Sequence, residues 1–357
     1  MSARLVSLTR RRAGVTQVGL LVVAGIVIAL VPQVVSPFTN LQLALIATYA
    51  VAILGLDVLT GWAGQVSLGQ SAFFGLGAYT TAAALQHGWP LFGALGASAV
   101  FALVVGAVVA VPAVRLHGYA LAMVTLVLPV VAVPLAKRLK GLTGGSQGTS
   151  VTTAAAPAWS GQANDQWRFY LVALVAAIMF FLVAGLLRGR IGRALATIKA
   201  SEILATSMGI QVRRYKILAF SVAALCGGVA GWQYIVIVQF MSPTTLALGF
   251  SISMLAALFV GGLRRRMGAV YGAAFYVIVP NLTGTISPAR SYLLYGLCLL
   301  AVLFFVPGGV AGAVARAGDW LSRRLRGRAS PPTATAREGL AEHDATSSKP
   351  PAQTSGQ

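Results

Sequence analysis

The sequence predicts an all-α, polytopic integral membrane protein of about ten transmembrane helices. Three observations carry that prediction. The chain is 57% hydrophobic and only 10% charged, with a mean hydropathy of +0.80, which places it in the membrane class. Apolar runs recur at a length close to the ~20 residues that cross a ~30 Å hydrocarbon core. The basic residues fall between and beyond those runs, and they favour alternate gaps.

In chain order, Met1 to Gly14 is a basic arm (Arg4, Arg10, Arg11, Arg12) leading into the run Val15 to Val31. That run is long for a signal peptide and no Ala-x-Ala site follows it, so it reads as an uncleaved first span. Further spans follow at about Phe38–Thr60, Val66–Leu85, Trp89–Val111 and Gly118–Ala136. Lys137 to Trp167, dominated by Gly, Ser, Thr, Ala and Gln, is an extramembrane loop. The remaining spans are Phe169–Leu187, Ile217–Phe240, Leu246–Leu263, Gly268–Ile286 and Tyr292–Val310. The domain plan is therefore an arm over 1–14, a membrane domain over 15–312 and a basic, disordered tail over 313–357. Within the membrane domain, 137–167 is expected outside and 188–216 in the cytoplasm. This arrangement puts 22 of the 27 basic residues inside and leaves Lys137, Arg138, Lys140, Arg168 and Arg290 outside. So uneven a split is the positive-inside pattern, with both termini cytoplasmic.

Several function classes are excluded. A formal charge of +20 would suit nucleic acid, but the basic residues form no amphipathic groove between the apolar runs. The chain has seven acids and three well-separated histidines, and none makes an intramembrane acid–base pair or a metal cluster. Cys226 and Cys298 both lie in apolar runs, so no disulfide framework is indicated. None of the five lysines follows a glycine, so there is no Walker A phosphate loop, and any ATP must be hydrolysed by another chain. Asp57, the one acid in the apolar body, reads either as a solvated interfacial group or as the lone candidate for ion coupling.

Two stretches carry chemistry. In Gly55 to Thr81, Gly61, Gly64, Gly69, Gly75 and Gly77 sit beside Gln65, Ser67, Gln70 and Ser71. Irregular backbone is not tolerated against lipid, so these glycines must pack on protein or line a wet cavity. The second of these fits a broken helix at a polar translocation path, with Gly64, Gln65, Ser67, Gly69 and Gln70 as candidate lining. Gly227/Gly231 and Gly268/Gly272 read as ordinary close packing of helices. The other stretch, Arg188 to Lys216, holds seven basic residues and one acid, with Ile191, Leu195 and Ile198 on one helical face. Inside it, Ser201 is placed to cap a short helix, Glu202 to oppose its dipole and Gly209 to take the left-handed C′ position. It reads either as a loop made basic by topology or as a docking element.

Five blocks together resemble the LivM-type branch of the branched-chain amino acid ABC transporter permeases. They are GWAGQVSLGQSAFFGLGAYT (61–80), RLHGYALAMVTL (115–126), LTGGSQG (142–148), GRALATIKASEILATSMGIQVRRYKILAF (192–220) and FVPGGVAG (305–312). They occur in family order. Gln147 departs from the family's usual Asp in the GGSDG block, Asp57 stands where Asn is usual, and Ala200-Ser201 replaces a more polar pair. The resemblance implies the ABC importer permease fold and a multi-pass protein of the bacterial inner membrane. It also implies partners: a second related permease, cytoplasmic ATPases and a periplasmic binding protein. On that reading the chain is no enzyme, has no cofactor of its own, and uses Glu202, Ala205 and Gly209 in the ATPase-facing coupling loop. Related permeases carry urea or short amides, and a secondary carrier or channel for a small polar solute is the rival from another class.

Overall fold

The computed structural model describes residues 32–33, 35–116, 119–153, 156, 161–286, 291–305 and 308–325. The arm, the first apolar run and the tail beyond Leu325 lie outside them. Almost all of the rest is helix, because a chain that meets lipid must satisfy its backbone amides internally. The helices are α1 (Pro37–Leu56), α2 (Gln70–Gln86), α3 (Leu91–Ala113), α4 (Tyr119–Arg138) and a single turn α5 (Lys140–Thr143). There follow α6 (Asn164–Arg188), α7 (Arg190–Ala200), α8 (Glu202–Ser207), α9 (Val212–Val238), α10 (Leu248–Gly261), α11 (Arg266–Ile286), α12 (Ser291–Phe305) and α13 (Gly309–Leu325).

The chain divides into two compact units at Gly312/Ala313. In the first, α9 is the central post, packed on α1, α2 and α3, while α11 closes against α1 and α10. Small residues make this close approach feasible. A Cβ at Gly77 would run into the backbone of Gly228, and one at Gly231 into that of Phe74, so α2 and α9 touch main chain to main chain. The same holds for Gly272 against Ala257 and for Gly268 against Gly262, so both glycine pairs read as packing motifs do pack. Polar ties add to the apolar contact: Trp232 Nε1 donates to Leu91 O at 3.0 Å, and Gln233 Nε2 to Val172 O at 3.1 Å. In the second unit the described residues are helical up to Leu325, so the start of the expected tail continues α13.

At one end of the first unit, the loop after α4 folds into a 3₁₀ turn (Gly145–Gln147) and a two-residue strand, β1 (Thr149–Ser150). It pairs antiparallel with β2 (Phe240–Met241), matching Thr149 to Met241. Gly144, Gly145 and Gly148 all take positive φ there. The LTGGSQG block is thus a tight outer cap on the helix ends.

The expected count of ten spans is not confirmed. Among the described residues five helices are long and apolar enough to cross a membrane, or up to six if a bent pair counts as one. The five are Pro37–Trp62, Leu91–Ala113, Ala120–Arg138, Asn164–Arg188 and Val212–Val238. The first predicted span lies outside the described residues. The third and eighth fall short for a physical reason: α2 has 17 residues and α10 has 14, or about 26 and 21 Å of helix at 1.5 Å per residue. The missing length of the third span is Val66–Gly69, which belongs to the non-helical stretch Ala63–Gly69.

Candidate functional site

The region predicted as a polar loop, Arg188 to Lys216, is a chain of helical pieces. α7 is amphipathic and buries Ala194, Leu195 and Ile198, with Ile191 half-buried. It stops at Ser201, whose backbone is extended and whose Oγ accepts from Leu204 N at 3.3 Å, capping α8. Gly209 closes α8 with φ +76, and an added side chain there would meet open space. The predicted short helix with its two punctuation residues is therefore present.

The side chains of this stretch face different ways. Ala205 is buried and holds α8 onto the body of the protein. The outward side chains are Ile203, Leu204 and Met208, exposed to 84%, 52% and 66%. Glu202 turns back toward α9 and accepts a hydrogen bond from Lys216 Nζ at 2.5 Å. Lys216 is buried, a position a lysine takes only with its charge paired.

The break in the glycine-rich segment is real and has a definite geometry. α1 does not end normally but widens into a π turn over Asp57–Trp62, with Ala63 N bonded to Val58 O at 3.1 Å. Such turns leave backbone groups free of the regular ladder. Gln65 N then reaches back to Leu59 O at 3.0 Å, and Thr60 Oγ1 donates to Gln65 O at 3.2 Å, fixing a hairpin-like reversal through Gly64 at φ +72.

Three groups distant in sequence hold this turn. Lys199 of α7 donates from Nζ to Gly61 O at 2.7 Å. Arg264, in the α10–α11 loop at the unusual φ of +60, donates its backbone N–H to Asp57 Oδ1 at 2.9 Å. Its guanidinium lies 4.9 Å from the centre of the Trp62 ring, a cation–π contact. Asp57 is 3% exposed, so the solvated interfacial reading of it is corrected: it is a buried tie between α1 and the loop after α10. Its carboxylate lies over Gly61, where only a glycine leaves room. Desolvation, together with the Arg264 charge, lowers the pKa of Lys199 below its ordinary value, and Asp57 opposes the shift.

The five residues proposed as path lining do not share one surface. Gln70 is buried at the start of α2, where Nε2 donates to Ala52 O at 3.0 Å and to Ala223 O at 3.3 Å. It ties α1 to α9. Ser67 Oγ accepts from Gly69 N at 3.3 Å, and a Cβ at Gly69 would press on Leu128. Gly64 and Gln65 face elsewhere, into a cavity of about 250 Å³ whose walls include Lys199, Glu202 and Lys216. Lys199, Lys216 and Arg264 were missed as site residues from sequence. The available signal was a lysine placed at the foot of a long apolar run.

A family profile described as "Branched-chain amino acid transport system / permease component" matches residues 38–303. Among curated proteins, the high-affinity branched-chain amino acid transport system permease protein LivM of Escherichia coli (strain K12) is 30% identical over 311 residues, covering 80% of this chain and 73% of LivM. LivM of Salmonella typhimurium is 29% identical over 287 residues, covering 72% of this chain and 66% of its own length. A solved chain titled "PsaBC from Streptococcus pneumoniae in complex with Fab" superposes with a TM-score of 0.40 at 15% identity, covering 83% of this chain and 99% of its own, too distant a likeness to bear on function.

Proposed function

Since the chain belongs to the branched-chain amino acid transport permease family, we propose that it is the membrane-spanning, non-enzymatic subunit of an ATP-driven importer of branched-chain amino acids. It works with separate cytoplasmic ATPases, a second permease and a periplasmic binding protein. Both termini face the cytoplasm of a bacterial inner membrane, as the bias of basic residues supports.

The observation that carries the coupling role is α8. Ile203, Leu204 and Met208 stand out from a capped helix in a stretch that holds seven basic residues, and exposed apolar side chains rimmed by charge are what a protein partner covers. The helix is not free to tilt alone. Glu202 is paired with Lys216 at the foot of α9, and Lys199 just before it holds the Gly61 carbonyl of the π turn. A push on α8 is thus delivered to the central post and to the broken end of α1. The absence of a Walker A motif in the sequence is consistent with hydrolysis on a separate chain.

Affinity purification of the tagged chain from its native membrane, followed by mass spectrometry, should recover an ATPase, and its loss on Ile203→Asp with normal insertion would place that ATPase on α8. Uptake of radiolabelled leucine and of urea in a strain lacking other importers tests the substrate. Uptake of urea without leucine would overturn the substrate class.

A further inference from the structure

The cavity beside Gln65 has no role in the packing described above. Gln65 is 7% exposed, yet neither Oε1 nor Nε2 has a hydrogen-bond partner. Buried amide groups are otherwise almost always satisfied, and one that is not calls for a partner from outside the fold. Gln65 is one of the residues that line a space of about 250 Å³. A water occupies ~30 Å³ in the liquid, so the space is several waters large and of the size class of a single amino acid.

The walls suit one chemistry. Lys199 and Lys216 bring two positive charges and Glu202 one negative, leaving a net positive lining. Lys199 spends one bond on Gly61 O, and an ammonium has three donors. Leu121 and Ile198 supply an apolar side. A carboxylate beside the remaining donors of Lys199, with an ammonium toward Glu202, which also accepts from Lys216, would suit these walls.

We propose that the cavity between Gln65, Lys199, Glu202 and Lys216, walled in part by the basic stretch 188–216, is a binding site for a small α-amino acid. The substrate class rests on the reading of function above. Because its walls belong to α7, to the start of α8 and to the segment after the π turn, an occupant would brace against one another the pieces through which a push on α8 is passed. Amino acid accumulated on the receiving side would then slow further import.

The test uses the full-length chain in lipid nanodiscs, without binding protein. Labelled leucine is titrated by scintillation proximity, with acetate and chloride as competitors. Wild-type protein should bind leucine, and Gln65→Leu and Lys199→Met should each weaken binding at least tenfold while eluting as monodisperse protein. A second readout needs no variant: saturating leucine should protect Lys199 of the wild-type chain from acylation, followed by peptide mass spectrometry. No leucine binding, no protection of Lys199, or wild-type affinity in both variants would overturn the site. Acetate competing as well as leucine would overturn the amino-acid assignment. Leucine uptake by cells is measured in parallel, so that a transporter active on leucine but lacking this site is told apart from one that does not carry leucine.

Discussion

Lys199 and Gly61, 138 positions apart in sequence, are joined by a 2.7 Å hydrogen bond from the lysine ammonium to the glycine carbonyl. The acceptor belongs to a π turn and the donor to the last turn of α7, just before the helix that faces outward. This bond links the surface element to the broken span.

Loss of that bond should uncouple more than it unfolds. Lys199 is an exposed residue, so the charge-assisted bond is discounted to about 1 kcal/mol. Lys199→Met should leave insertion and expression intact while lowering solute moved per ATP hydrolysed, measured in proteoliposomes. Lys199→Arg should restore part of the coupling. An unchanged transport-to-hydrolysis ratio in Lys199→Met would reduce the bond to a local tie.

The Glu202–Lys216 pair is asymmetric, with Lys216 buried and Glu202 partly exposed. Removing the carboxylate strands a buried ammonium, whereas removing both charges does not. Glu202→Gln should therefore cost about 1–3 kcal/mol, and the double variant Glu202→Gln/Lys216→Met should recover most of it. Thermal melting followed by size-exclusion fluorescence measures both, and a double variant no better than Glu202→Gln alone would contradict the argument.

Gly209 sits at φ +76 with open space around its Cα. A β-branched residue meets no neighbour there but is penalised by its own backbone, by roughly 1–2 kcal/mol. Gly209→Val should shift or fray α8, lowering solute-stimulated ATP hydrolysis of the assembled transporter with normal insertion. Gly209→Asn, which tolerates the left-handed region, should be milder.

Gln65 and Gln70, five positions apart, should separate in experiment. Gln70→Leu removes two interhelical bonds from Nε2, at about 1–2 kcal/mol in a membrane interior, and should lower the yield of folded protein. Gln65→Leu removes no bond within the chain and should fold normally. Equal melting temperatures for Gln70→Leu and wild type would refute the assignment of Gln70 as a structural tie.

Orientation can be read directly. A cytoplasm-active reporter should function after Gly209, and a periplasm-active one after Thr149. The reverse pattern would invert the placement of α8 and with it the ATPase-facing role.

By itself the sequence determined the class and the ends of α8, but not the number of spans. Those are local matters: apolar runs, a serine that caps and a glycine that tolerates positive φ act within a few residues of themselves. The blocks at 61–80 and 192–220 also pointed to the two stretches that meet. The tertiary structure alone decided how they meet. Gln65 and Gln70 are chemically identical in the sequence, yet packing sent one between α1 and α9 and left the other unpaired beside a cavity. Asp57 read as solvated because it lies near a span end, but the α10–α11 loop folds over it and Arg264 satisfies it. Lys216 looked like one more loop cation until α9 began four residues earlier and drew it inside, where Glu202 pairs it. Each of these outcomes depends on groups more than ten positions away, and the side-chain periodicity of a helix carries no information about which distant surface its polar face will find.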